Sequence, residues 1–231
     1  LRKHEKSAKI RQMSATATTS TKATKTAKTP SAAPTNSQAS QTPTTAEPTK
    51  GFVHLHTHSH YSLLQALPKV DQIVKRAKKY GMTSLALTDN GNLYGAIEFF
   101  KECEKAGIKP IIGVDVFVAI RTRHDKEPRI DNRTRKLVLL AKDIDGYNNL
   151  IALVTKSNLE GFYYRPRIDR ELIEQHKKGL IAILPSFGGE AINAIRAGNK
   201  TEAEDFIKQY RSIFNEGMTD EESANPHTSN V

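Results

Sequence analysis

The chain has 231 residues and a formal charge of +10, room for one domain of about 150–200 residues plus tails. No apolar run reaches the ~18 residues of a membrane span. The one cysteine, Cys103, excludes an intrachain disulfide and fits a reducing, cytoplasmic compartment. Charge is placed unevenly. Residues 1–50 hold nine Lys/Arg against two Glu, whereas the remainder holds 26 basic and 23 acidic residues. The basicity therefore belongs mostly to the N-terminus and says little about what a folded part binds.

Residues 1–50 are low in complexity, with Pro30, Pro34, Pro43 and Pro48 spaced through Thr, Ser, Ala and Gln, and every Phe and Tyr lies after position 50. Such a segment cannot bury enough apolar surface to offset its ordering entropy, so it is expected to be a disordered basic tail. A solvated linker is the plain reading; weak, salt-sensitive attraction to nucleic acid is the other. The tail lacks the apolar core of a secretory signal, though its acid-poor make-up overlaps with transit peptides. The chain begins at Leu1, and Met13 is a candidate start if the sequence is not a fragment.

From Gly51 the pattern changes. Residues 51–56 read as a strand, and His54, His56, His58 and His60 occupy every second position from within it onward. In an extended strand such side chains share one face, rising about 6.5–7 Å per pair. A row of imidazoles suits Zn, Mn or Fe; a solvated, His-rich strand end is the alternative. Pro68 opens a helix ended by Gly81, and Leu85–Leu87 is a short buried strand ending at Thr88-Asp89. An amphipathic helix over residues 93–106, containing Cys103 as a packing residue, stops at Gly107. Residues 111–118 form a third strand. Residues 121–135 are charged and without apolar period, as in an exposed loop or hairpin. A strand over residues 137–140, a helix over residues 148–158, a loop over residues 161–167 and a short helix capped by Asp169 follow. Residues 180–184 form the fifth strand, and residues 190–197 and 202–214 are helical. Residues 215–231 are polar and expected to fray. Short apolar strands alternating with helices predict a parallel sheet covered by helices. Polar residues collect at the strand C-termini, where a βα barrel places its site, but five strands are too few to close one.

Several ordered blocks resemble a known family: His56-Thr57-His58 with Tyr61-Ser62-Leu63-Leu64; Leu87-Thr88-Asp89 with Gly91-Asn92-Leu93 and Gly95; Gly107-Ile108-Lys109-Pro110 with Gly113; and Leu139 to Asp143, Gly146 to Leu150 and Gly161 to Arg170. The match runs over about residues 52–200 and is similar to the polymerase-and-histidinol-phosphatase (PHP) domain of bacterial replicative DNA polymerase III alpha subunits. The resemblance implies an α/β fold, a partial distorted (β/α)7 barrel, with a metal cleft at the strand C-termini that activates water and clamps phosphate oxygens. It divides the chain into a tail (1–50), an incomplete PHP barrel (51–214) and a polar C-terminus (215–231).

Carried over residue by residue, the resemblance assigns His56, His58 and Asp115 as the residual metal ligands, for Zn2+ or Mn2+. Four further ligand positions are degenerate: Gln65, Asn90, Lys136 and Ser186. An ammonium at a ligand position opposes a cation, and Lys136 reaching Asp115 would form an ion pair in its place. His54 and His60 match no family role; His54 is expected to face the barrel and His60 solvent. The helix opening at Gly188-Gly189-Glu190 is a plain turn or a phosphate cradle. The implied function is the N-terminal PHP region of a DNA-directed DNA polymerase. Its catalysis uses Mg2+ in a palm outside this chain, so no catalytic residue is expected here. Its partners would be DNA, a proofreading exonuclease and the sliding clamp, with no membrane. The alternative is a stand-alone metal-dependent phosphoesterase or 3′–5′ exonuclease.

Overall fold

The computed structural model describes residues 51–214; the expectations for the tail and for residues 215–231 lie outside them. Helix α1 (Val70–Lys79) buries Val70, Val74 and Ala77 along one stripe, the spacing of an amphipathic helix. Strand β1 (Ser84–Leu87) is apolar and almost wholly buried. Helix α2 (Ala96–Ala106) packs Phe99 and Cys103 inward and ends at Gly107, whose left-handed φ of 68° a residue with a Cβ adopts only at a cost. These pieces close around Leu85, Leu87 and Ile108 as one core. Cys103 sits inside it with no exposure, and burial pushes its thiol up to about 11, so it is inert packing.

The sheet is built on a long strand, β2 (Lys109–Ala119). β1 pairs with its first half in parallel, and a two-residue strand, β4 (Arg167–Ile168), pairs in parallel with Phe117 and Val118. Along the other edge lies β3 (Thr134–Ala141), which pairs antiparallel with Gly113 to Ala119. β5 (Leu180–Ile183) is antiparallel to β3. The fold is therefore α/β with a mixed sheet, not the all-parallel one predicted from apolar strand runs. The reason is topological. A parallel crossover needs a helix-sized connection, and residues 120–133 contain no helix, so the chain folds straight back.

Helix α3 (Ile144–Leu159) starts at Asp143, whose carboxylate accepts from Gly146 N. The short α4 (Arg170–Gln175) starts at Asp169 in the same way, as its sequence predicted. Both pack on β2 and β3 through Leu150, Leu153, Leu172 and Ile173. Helices α5 (Glu190–Arg196) and α6 (Lys200–Phe214) complete the described fold.

Two local expectations are corrected. Residues 51–56 form no regular strand; they run beside β1, held by Ala86 N donating to His54 O (2.9 Å) and Thr88 N to Thr57 O (2.8 Å). The charged connection after β2 is not wholly exposed, because Arg123 and Asp131 are buried in it. Arg167, with no exposed surface, explains this. Its guanidinium donates to the carbonyls of Gly161, Asp131, Arg123 and Asp125 at 2.8–3.0 Å. One fork of donors thereby ties the connection to the segment before β4.

Candidate metal centre

Asp115 and Phe117 lie two residues apart on β2, so they share a face, and Lys136 on β3 stands opposite Phe117. That register aims the Lys136 ammonium back at Asp115, with Nζ 2.7 Å from Oδ2. The segment beside β1 delivers His56 and His58 to the same oxygen. Each Nε2 is 3.3 Å from Asp115 Oδ2, and the two are 3.2 Å apart. Alternation along a strand had suggested four imidazoles on one face. The irregular backbone brings only two together: His54 is exposed against Phe52, and His60, half-buried instead of facing solvent, stacks on Tyr61.

The degenerate positions join the cluster with one exception. Lys136 Nζ also donates to Asn90 Oδ1. The Asn90 amide donates to Gln65 Oε1 at 2.7 Å and lies 3.5 Å from His58 Nδ1. Gln65, Asn90, Lys136, Asp115 and the two histidines thus form one polar chain. Ser186 is exposed in the turn after β5 and shares no hydrogen bond with them among the described residues. That turn touches the site through its backbone: Lys136 N donates to Gly188 O at 2.9 Å.

Asp115 is 1% exposed. Burial pushes its carboxyl up, but hydrogen bonds from His56, His58 and Lys136, with the Lys136 charge, outweigh that and hold it well below the usual carboxylate range. All its partners sit on Oδ2; Oδ1 is buried without one. Lys136 also lies 4.7 Å from the centre of the Phe117 ring, and Arg165 lies 5.0 Å from it.

Sequence reading missed the role of Asp89 in building the site. This buried carboxylate accepts from Ser59 N (2.7 Å), Ser59 Oγ (2.8 Å) and Ser62 Oγ (2.6 Å). It pins the turn that follows the histidines, and Ser62 Oγ in turn accepts from Asn90 N. Its signal was present as a carboxylate at the end of an apolar strand. Gly91, next along, has a φ of 64°, and a Cβ there would meet Pro166 Cγ at 3.0 Å. On the outer side of the histidines a cleft of about 730 Å³ opens between the 54–58 segment and α1, floored by Ile73, Tyr80, Met82 and Leu85.

His56, His58 and Asp115 place their ligand atoms within 4.8 Å of one another, an arrangement that can hold a metal ion. Neutral imidazole and carboxylate are a suitable donor set. The opposing observation is the Lys136 ammonium, already bonded to the shared oxygen. Two unit charges 4 Å apart cost about 4 kcal/mol at an effective dielectric of 20, and a divalent ion about doubles that. The residues fit a metal only with Lys136 displaced.

Two imidazoles and a buried carboxylate meeting on the face of a mixed α/β sheet define a candidate metal centre, and comparison with known proteins assigns the family. The PHP domain family model matches residues 54–221, and the chain belongs to that family. Within it, residues of this chain are homologous to part of DNA polymerase III alpha subunits. It is 44% identical over 164 residues to that of Treponema pallidum, covering 71% of this chain and 14% of the relative. It is 40% identical over 182 residues to that of Aquifex aeolicus, covering 76% and 16%. The chain thus spans about one-seventh of the length of these relatives. Among solved structures it is similar to an amidohydrolase from Chromobacterium violaceum with bound sulfate and no metal. That likeness is 24% identical with a TM-score of 0.34, over 46% of this chain and 33% of the other.

Proposed function

We propose that this chain is the PHP region of a replicative DNA-directed DNA polymerase, and that its metal site is a remnant in which Lys136 stands in for a cation. The reading is supported by the homology to polymerase III alpha subunits and carried by one observation, the Lys136 ion pair to Asp115. On it, residues 51–214 are a scaffold domain between a basic tail and a polar C-terminal stretch. The ligand positions are His56, His58 and Asp115, with Gln65, Asn90, Lys136 and Ser186 degenerate. Nucleotidyl transfer with Mg2+ belongs to the whole protein in the cytoplasm. DNA, a proofreading exonuclease and the sliding clamp are its partners there, and the chain alone does not polymerise DNA.

The test is a melting curve with and without Zn2+ or Mn2+. Free metal at about 100 times Kd stabilises a folded chain by about 2.7 kcal/mol, or about 5–10 °C for a domain of this size. We expect no such shift for the native chain and a shift of that order for Lys136→His. A rise of several degrees in the native chain that Lys136→His does not enlarge would overturn the remnant reading.

The second reading, a metal-dependent phosphoesterase or 3′–5′ exonuclease, is favoured by the convergence of His56, His58 and Asp115. It requires the native chain to give the shift and to release nucleotide from a 3′ end in the presence of the metal.

A further inference from the structure

Residues 161–166 before β4 are bonded through Arg167 to the 120–133 connection, and the outer surface of this pair is unusual. Phe162 is 53% exposed and Tyr164 74% exposed. Tyr163, between them, is turned inward, its ring 5.3 Å from the Arg167 guanidinium. Tyr163 N donates to Arg165 O in a tight turn, which forces Tyr164 to a φ of 61°. That left-handed conformation is unfavourable for a bulky side chain, so the fold tolerates strain and exposed apolar surface at one point.

The charges around these rings are one-sided. The carboxylates in and flanking the two segments are engaged by their own neighbours: Glu127 and Asp131 by Arg121, Glu160 and Asp169 by Arg123, and Asp125 by Thr122. Lys126, Arg129 and Arg133 are exposed with no acidic partner among the described residues. Arg165 lies exposed over the Phe117 ring, on whose face Lys136 also sits, so the platform borders the mouth of the His56–Asp115 site.

Exposed rings interleaved with unpaired cations are what a single strand of nucleic acid requires. The bases stack on the rings while cations track the phosphates. A duplex hides its base faces, and an apolar protein partner would leave these cations unpaired. We infer that the Phe162–Arg165 turn, with Arg129 and Arg133, is a docking surface for single-stranded polynucleotide. The inference concerns this region itself and is independent of whether the adjacent site holds a metal.

The test is fluorescence anisotropy of labelled (dT)16 with the 231-residue chain at 50 and 200 mM salt. Because the N-terminal tail is basic, a variant with Lys22, Lys25 and Lys28 changed to Ala is measured alongside. Tyr164→Ala and Phe162→Ala are each expected to weaken binding about ten-fold, and Tyr164→Phe to keep it. Arg165→Ala should weaken binding and reduce the salt slope by about one. The corresponding duplex should bind more weakly and ignore Tyr164→Ala. Two results overturn the inference: no measurable binding by the native chain, or native affinity in both aromatic variants, as when the tail lysines alone carry the attraction.

Discussion

Lys136 shows how a sheet register turns one residue type into a different site. The diagonal from Lys136 to Asp115 across β3 and β2 is within reach of a long side chain, and the pair it makes is largely buried. Removing one member of a buried pair strands the other, at a cost of on the order of 3 kcal/mol. Lys136→Met is therefore expected to destabilise the chain by about that amount in urea denaturation, even though His56 and His58 still contact Asp115. Lys136→Met with Asp115→Asn should cost less than the sum of the two single changes. The motif made legible which residues belong together, since His56, His58, Gln65, Asn90, Asp115 and Lys136 were all named from it. It also anticipated the Lys136–Asp115 ion pair, but not that both histidines and Lys136 share the one oxygen Oδ2, nor that Ser186 is exposed outside the cluster. Those depend on side-chain direction from segments far apart in the chain.

Among the elements, caps and amphipathic stripes were readable because they are local. Asp169 shows where locality ends. As predicted it caps α4, accepting from Leu172 N at 3.0 Å. It also accepts from Arg123 N (2.9 Å) and Arg123 Nη1 (3.0 Å), 46 residues away. Losing the cap alone costs about 1 kcal/mol. Asp169→Ala also leaves the buried Arg123 with Glu160 as its main partner, and the expected loss is about 3 kcal/mol or more. Asp169→Asn keeps a capping oxygen and should cost distinctly less; equal losses for the two variants would mean that the cap contributes nothing and that the charge facing Arg123, which both remove, carries the whole effect. The strand expected at residues 51–56 failed for a related reason. Alternation in the sequence is compatible with a strand, but the Asp89 carboxylate gathers Ser59 and Ser62 and bends the backbone out of the ladder.

For the whole molecule, buried or bonded carboxylates set the response to acid. The Arg121 guanidinium beside Asp131 lowers that carboxyl, with burial opposing and Glu127 N assisting. Arg123 lowers Glu160, and the Thr122 hydroxyl lowers Asp125. A carboxyl whose pKa is depressed on folding contributes stability that is complete above the ordinary carboxylate range. It is lost as pH falls through the depressed folded value. Melting temperature is therefore expected to stay level from pH 7 to about 5 and to fall progressively below about pH 4. Asp131→Asn should flatten the acid limb while lowering the plateau. A steeper acid limb in that variant would contradict the sign.

The sequence by itself determined the family, the α/β class, the existence of the helices with the Asp169 cap and the Gly107 stop, and the identity of the clustered polar residues. Each rests on a local pattern: an apolar period, a capping side chain, a motif of fixed spacing. The sequence placed the start of α3 at 148, whereas Asp143 caps it and it begins at Ile144. Only the tertiary structure decided that β3 runs antiparallel to β2, that Arg167 locks two distant segments together, and that Lys136 occupies the shared oxygen of Asp115. It also turned Tyr164 outward. These outcomes follow from long-range hydrogen bonding and strand register, which satisfy buried donors and charges across dozens of residues, and no local periodicity encodes them.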